Sequence, residues 1–318
     1  MISVVIPLYN KETSIKRTIT SVLNQTYKDF ELVVVNDGST DNSLSIVTEM
    51  AMIDKRIKLI NQENQGVSVA RNNGVKESIY PYIAFLDGDD EWISIYLESV
   101  INVIKKYPEA GMICTAGLVT CNGYIYFRGV PKYKNKECII NYFQNPHVFT
   151  HTSATIVKKE IFNRTEGFPI GMRMNQDLAC FFNIAMISPV AYNGRPLSIY
   201  HGNIPNQTTS SISKTKYKIH YQTDRLNYCY KKWCENQKSN YTFVTFTKYE
   251  IRAIILSAIR SKNKYTIDFM LKNLDQGLLK KFSKLELYLY SHNRFLAQIY
   301  ILWTKCIWRM HRYPVIKY

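Results

Sequence analysis

A chain of 318 residues with 46% hydrophobic and 21% charged residues can bury a full core, which excludes a disordered protein and allows one large domain with an appendage, or two domains. No apolar run approaches the roughly 20 residues that cross a bilayer, so no membrane-spanning helix is expected. The formal charge of +16 sits almost wholly at one end: residues 1–200 hold 20 Lys/Arg against 19 Asp/Glu, and residues 201–318 hold 21 against 6. Such asymmetry marks a surface that faces a polyanion, either nucleic acid or an anionic membrane. The start, Met1 to Pro7, has no basic leader or small-residue cleavage site, so a cytoplasmic chain is expected. Seven cysteines are scattered without metal or redox spacing, which predicts reduced thiols and no structural zinc.

In chain order, Ser3 to Asn10 reads as a strand, and Ile15, Ile19, Val22 and Leu23 give helical spacing between Glu12 and Tyr27. Phe30 to Val35 is a second strand that stops at the turn residues Asn36-Asp37-Gly38-Ser39. A helix through Met50, a strand over Ile57–Ile60 and a helix over Val67–Ser78 follow, and then a strand from Tyr82 to Leu86. That alternation predicts a doubly wound, mostly parallel sheet with right-handed crossovers. Polar residues at the strand ends converge on one edge, where such sheets bind ligands.

The fourth strand ends in Asp87-Gly88-Asp89-Asp90. Three carboxylates within four positions repel one another, and a hard divalent cation holding an anionic group such as a diphosphate makes them tolerable. A solvated acidic turn before a helix starting near Ser94 is the plainer alternative. No glycine-rich dinucleotide loop or P-loop is present. Further on, strands are expected over Ala110–Leu118 and Thr152–Val157, a helix opens at Asn175-Gln176-Asp177, and Ser198–His201 is a short strand.

The set Val4-Val5-Ile6-Pro7-Leu8-Tyr9-Asn10, Gln25-Thr26-Tyr27, Glu31 to Asp41, Gly66 to Gly74 and Phe85 to Asp90 resembles the inverting glycosyltransferases of family 2, which have the GT-A fold. The resemblance covers roughly the first 200 residues. It implies a nucleotide-sugar site of Pro7, Tyr9, Asp37, Ser39, Arg71 and Asp87, with Tyr9 against the nucleobase, Asp37 accepting a hydrogen bond from it and Asp87 near the ribose. Asp89 would bind a Mn²⁺ or Mg²⁺ ion that bridges the diphosphate, and Asp90 reads as a cap of the next helix. Asp177 matches the catalytic base, preceded by Gln176 where the family commonly has glutamate. His201 stands where members often carry a histidine near the metal or the acceptor, and both an ordinary polar role and a metal-ligand role stay open for it. Taken singly, Tyr9 also reads as packing, Arg71 as a helix charge and Asp177 as a first-turn acid.

The expected organisation is a GT-A catalytic domain over 1–210 and a basic helical extension over 211–318. Its helices are predicted over Tyr217–Cys234, Thr247–Arg260, Tyr265–Lys280 and Leu285 to about His311. The last interleaves Phe295, Leu296, Ile299, Leu302, Trp303, Ile307 and Trp308 with Arg294, Lys305, Arg309 and Arg312, a pattern that suits either an anionic membrane surface or an internal packing face. The expected activity is transfer of a sugar, from a UDP-sugar, to a glycan or lipid-linked acceptor in surface-polysaccharide synthesis, with the enzyme at the inner face of the membrane. A sugar nucleotidyltransferase and a basic nucleic-acid-binding protein are the rival readings.

Overall fold

The computed structural model describes residues 1–144, 151–202, 218–237 and 240–310, with residues 308–310 described by backbone alone. The chain divides into two compact units, Met1–Ile140 with Val148–Lys214, and Asn141–His147 with Thr215–Tyr318. The first holds β1 (Ile2–Leu8), α1 (Ile15–Leu23), β2 (Phe30–Asp37), α2 (Ser43–Ile53), β3 (Ile57–Gln62), α3 (Val67–Glu77) and β4 (Tyr82–Phe85). After these come β5 (Glu91–Trp92), α4 (Tyr96–Lys106), β6 (Met112–Cys121), β7 (Tyr124–Arg128) and β8 (Glu137–Ile140). The unit closes with β9 (Thr155–Lys158), α5 (Lys159–Asn163), α6 (Gln176–Ile187) and β10 (Val190–His201).

One sheet runs in the order β3-β2-β1-β4-β9-β6-β10-β5, with β7 on β6 and β8 on β10. The pairs β3/β2, β2/β1 and β1/β4 are parallel. Their near-continuous apolar runs follow from burial on both faces. On one face Ile2, Val4, Ile6 and Leu8 meet Ile15, Ile19 and Val22 of α1 and Leu97, Val100 and Val103 of α4. On the other, Val5 and Val35 press on Gly74 of α3. β9 enters antiparallel between β4 and β6, while β6 and β10 are parallel. All four strand ends named in the sequence therefore lie on neighbouring strands.

Several elements differ from expectation. The short strand at Ser198–His201 is the end of the 12-residue β10, whose register shifts around Pro196. Gly194 and Pro196 interrupt the apolar pattern and hide the strand's first half. The first helix of α4 begins at Tyr96, with Ile95 at its cap, so Asp90 caps no helix. β7 follows Asn122 and Gly123, both with positive φ (51° and 78°), the backbone of a tight hairpin.

The second unit contains α7 (Lys218–Glu235), α8 (Tyr241–Arg260), α9 (Lys264–Asn273), α10 (Gln276–Leu279), α11 (Lys284–His292) and α12 (Arg294–Met310). Two expected helices are each split. Asp275 turns the chain and its carboxylate accepts from the N–H groups of Gly277 and Leu278, and Asn293 breaks the last run. Tyr217, His311 and Arg312 lie outside the described residues, as do the side chains of Trp308 and Arg309. Arg225 and Glu250 form a buried pair at 3.0 Å, and Arg252 meets Glu286 at 2.7 Å. No helix among the described residues is long and apolar enough to cross a membrane.

Gly194 gives a direct check of the bulged strand. It exchanges backbone bonds with Lys136 (2.8 Å) and Asn135 (3.1 Å), and a Cβ there would stand 1.7 Å from the Tyr133 carbonyl oxygen. Gly194→Ala should therefore destabilise the protein by about 1–3 kcal/mol, as overpacking against fixed backbone does. An unchanged urea midpoint would show that the 131–136 segment yields freely.

Candidate active site

The loop after β4 is held from several sides. Three consecutive carbonyls, of Gly88, Asp89 and Asp90, accept from Ser14 Oγ (2.9 Å), Arg17 Nη2 (2.8 Å) and Thr18 Oγ1 (2.7 Å). Helical spacing puts these donors on one side of α1. Each carboxylate then finds its own partner. Asp87 accepts from Arg71 Nη2 at 2.6 Å, and Asp89 pairs with Lys11 Nζ at 2.6 Å. Asp90, only 1% exposed, accepts from Ser153 Oγ (2.5 Å) and weakly from the His201 N–H (3.4 Å). Burial first, and then the charges of Asp87 and Asp89, push its carboxyl well above the usual carboxylate range.

Arg71 is buried on α3, with its guanidinium 5.1 Å from the Phe168 ring centre. Its Nε and Nη1 have no hydrogen-bond partner among the described residues. A buried cation with two donors unused is prepared for an anionic or polar ligand.

The residues expected on the nucleotide side lie at the ends of β1 and β2. Tyr9 is 47% exposed just after β1, and Asn10 has φ 51°, which turns the chain there. The Asn10 N–H donates to Ser39 Oγ (3.2 Å), and the Ser39 N–H donates to Asn36 Oδ1 (3.1 Å). Pro7 presents its carbonyl toward Gly88. Asp37 is buried, and its oxygens accept from Gln62 Nε2 (2.7 Å) and from the N–H groups of Gln65 and Gly66 (2.9 Å each). It thus fixes the loop that follows β3, a structural task beside any contact to a base.

Asp177 sits in the first turn of α6, after Asn175 in the left-handed region (φ 61°). One oxygen accepts the Leu178 N–H at 2.8 Å, and the other has a long 3.5 Å contact from Thr152 Oγ1. The charge of Arg128 on β7 acts on both Asp90 and Asp177, and its guanidinium lies 5.6 Å from the Tyr200 ring centre. His201 bonds through Nδ1 to Thr120 Oγ1 (2.9 Å) and through Nε2 to Glu91 Oε1 (2.7 Å). To ligate a metal it would have to give up one of these. Lys11, Ser153 and Arg128 were not among the residues singled out from sequence. Nothing in their spacing distinguishes them, since only the tertiary fold brings them to the acidic loop.

Residues 3–164 match the model of the family described as glycosyl transferase family 2. The chain belongs to this family. It is 45% identical to glycosyltransferase GlyA of Streptococcus pneumoniae over 107 residues, which are 33% of this chain and 15% of that protein. It is 37% identical to the Bacillus subtilis protein EpsH, assigned as a glycosyltransferase, over 149 residues, 46% of this chain and 40% of EpsH. The matches thus span less than half of either relative. Among solved structures, residues 1–349 of S. aureus TarS in complex with UDP-GlcNAc superpose with TM-score 0.69 at 16% identity, covering 94% of this chain and 88% of that one. The mannosyltransferase PcManGT of Pyrobaculum calidifontis, solved with GDP-Man and Mn²⁺, gives 0.54 at 15% identity, covering 95% and 84%. The family 2 chain therefore has the GT-A fold with a C-terminal helical region.

GT-A transferases of this kind commonly use a divalent metal. Among the described residues, no three His, Cys, Asp or Glu side chains are grouped to hold one. The Asp89 carboxylate, 11% exposed and paired through one oxygen with Lys11, suits an ion that takes one protein ligand and completes its shell from substrate phosphates and water. The site fits a substrate-bridged cation and does not fit a preformed metal cage.

His151 supplies a pH test of the same region. The ring lies edge-on to Tyr200 at 5.7 Å, and both of its nitrogens are buried without hydrogen-bond partners among the described residues. Burial, aided by Arg128, holds its pKa well below the ordinary histidine range. A lowered folded pKa means that the unfolded chain takes up a proton that the fold refuses, so stability falls as pH drops below about 6.5. Between pH 7.5 and 5.5 the wild type should lose about 1 kcal/mol more than His151→Phe in urea unfolding. Equal losses in the two proteins would mean that the ring is not sealed from solvent.

Proposed function

We propose that this family 2 glycosyltransferase is an inverting enzyme that uses a nucleotide sugar, with UDP-sugars the preferred class, and that Asp177 is its base. The single observation that carries the assignment is the contrast among the four acids. Asp87 and Asp89 are each locked to a cation at 2.6 Å and Asp90 is sealed in, whereas Asp177 is half-buried and holds only a 3.5 Å side-chain contact. Of the four, it has an oxygen least committed and open to an acceptor.

Arg71, through its two unused donors, and Lys11 hold the donor's anionic part, while Tyr9, Asp37 and Ser39 frame the nucleoside and Pro7 backs the Gly88 turn. Asp177 takes the acceptor hydroxyl proton as that oxygen bonds to the anomeric carbon. The bond from that carbon to the diphosphate oxygen breaks, and its electron pair leaves with the nucleoside diphosphate. A single displacement inverts the anomeric centre. A Mn²⁺ or Mg²⁺ ion held by Asp89 and the diphosphate would supply charge stabilisation to the leaving group. His201 belongs to the support of the Glu91–Thr120 side of the site. The UDP preference is supported by the resemblance in the sequence and by the UDP-GlcNAc complex of TarS. The GDP-Man complex of PcManGT makes GDP-sugars the necessary control.

Asp177→Asn should retain donor binding and lose about 10²-fold or more of transfer, the scale of general-base catalysis. A panel of nucleotide sugars, read by metal-dependent release of nucleoside diphosphate, identifies the donor. Transfer by the variant at the wild-type rate would move the base elsewhere.

Residues 1–210 are assigned as the catalytic domain and 211–318 as a basic helical region that holds the enzyme at the inner face of an anionic membrane, near a glycan or lipid-linked acceptor of surface-polysaccharide synthesis. The support lies in α12. Ala297 and Ile301 are fully buried, while Phe295, Leu296, Ile299, Leu302 and Trp303 are 37–72% exposed. An exposed apolar stripe on a basic helix suits a lipid headgroup region. Phe295→Ser with Trp303→Ser, both at exposed positions, should weaken sedimentation with phosphatidylglycerol vesicles, and added salt should weaken the wild type. Equal sedimentation of both proteins would remove the stripe from any membrane role. Neither rival is supported by a motif: no phosphate loop follows β1, and the charge lies away from any nucleic-acid reader motif.

A further inference from the structure

Lys11 lies in the turn between β1 and α1 and has a fixed course. Its N–H donates to Ser43 Oγ at 2.7 Å, and its carbonyl accepts the N–H groups of Ser14 (3.0 Å) and Ile15 (2.9 Å). The stem passes against Gly88, where a built Cβ would lie 3.4 Å from Lys11 Cγ. The ammonium ends 2.6 Å from Asp89 Oδ2, with the two side chains 18% and 11% exposed. Among the described residues, that carboxylate makes no other hydrogen bond. A compact cation thus stands on the Asp89 carboxylate, on a backbone held by hydrogen bonds to Ser43, Ser14 and Ile15.

We infer that Lys11 is the resident counter-ion of Asp89, which opposes metal binding to the nucleotide-free enzyme and turns to the donor's diphosphate when metal and nucleotide enter together. This rests on the nucleotide-sugar reading of the site. Two cations cannot share one carboxylate cheaply, so a metal ion arriving alone has to displace the ammonium and leave it unpaired in a partly buried place. With a diphosphate present the ammonium gains phosphate oxygens for its three donors, and Asp89 is released to the metal. Metal and nucleotide then favour each other's binding, and the coupling is reciprocal. Asp87 does not share this behaviour, because Arg71 is itself buried and holds its position over Phe168.

The test uses the full chain with Mn²⁺ and UDP as probes, comparing wild type, Lys11→Met and Lys11→Arg, each checked for folding by thermal melting. Free Mn²⁺ is followed by electron paramagnetic resonance without nucleotide, and UDP binding by calorimetry in chelator. Lys11→Met should bind Mn²⁺ about ten-fold or more tightly, the scale on which one adjacent charge acts on a carboxylate. Its UDP affinity without metal should drop by about ten-fold, the loss of one charge-assisted bond. Lys11→Arg should keep the weak Mn²⁺ binding of the wild type, a result that a merely structural role would not produce. Unchanged Mn²⁺ affinity in a folded Lys11→Met protein, or unchanged UDP affinity in chelator, overturns the inference while the nucleotide-sugar reading stands. A wild type that binds neither UDP nor GDP, with or without Mn²⁺, overturns that reading and the inference with it.

Discussion

Mutual repulsion among Asp87, Asp89 and Asp90 is the constraint around which the first unit is arranged. Three acids in four positions cannot all stay ionised side by side without partners. Each is neutralised differently: by a buried guanidinium, by a partly exposed ammonium, and by burial against a hydroxyl. The partners come from α3, from the β1–α1 turn and from the segment before β9. Ser153 joins two of the three, accepting the Asp87 N–H at 3.1 Å while donating to Asp90. Satisfying the charges therefore ties three distant stretches of chain to one loop. The side chains of Ser14 at the cap of α1 and of Arg17 and Thr18 in α1, which bind carbonyls 88, 89 and 90, then fix the loop's backbone. What results is a loop held by its environment, with cationic donors already in place for an anion.

The difference between the two cations follows from their surroundings. Arg71 is enclosed by protein and has donors left over after serving Asp87, so it can meet a ligand without releasing its acid. Lys11 is more exposed and spends its charge on Asp89. An arginine fork can hold two partners at once in a fixed plane, whereas an ammonium is a point charge that follows the strongest nearby anion. One is suited to a permanent wall of the site and the other to an exchangeable contact.

Legibility from sequence tracked how local the determining physics was. β1 to β4 and their helices could be read because central parallel strands are apolar on both faces and end at turn residues. β7 and β8 escaped because one is an exposed edge strand and the other is short, though Asn122-Gly123 carried a hairpin signal. The first half of β10 was masked by Gly194 and Pro196, residues that a regular central strand avoids. Asp87, Asp89 and Asp177 stood out as candidates because they sit just after a strand or in a helix's first turn, and Arg71 because of the Gly66–Gly74 motif within α3. Lys11 and Ser153 could not, because their meaning arises only when β1, β4 and β9 lie side by side. Asp90 was misread as a cap because its burial is a tertiary fact.

The second unit poses an electrostatic problem of its own. It has few acids, and two of them are consumed inside: Glu250 by Arg225, and Glu286 by Arg252 with the Tyr290 hydroxyl also donating to it. Those pairs remove equal numbers of opposite charges, so they leave the net +15 of residues 201–318 uncompensated. Of the remaining acids, Glu235 lies within an ion pair of Lys232 at 2.7 Å, which reduces the compensation available elsewhere. A compact unit with that excess repels itself, and an external polyanion offsets the repulsion. Charge alone would leave nucleic acid and lipid as equal candidates. The exposed stripe from Phe295 to Trp303 is what supports the proposal of lipid, since apolar side chains gain nothing from a phosphate backbone in water but are stabilised in the acyl–headgroup boundary of a bilayer.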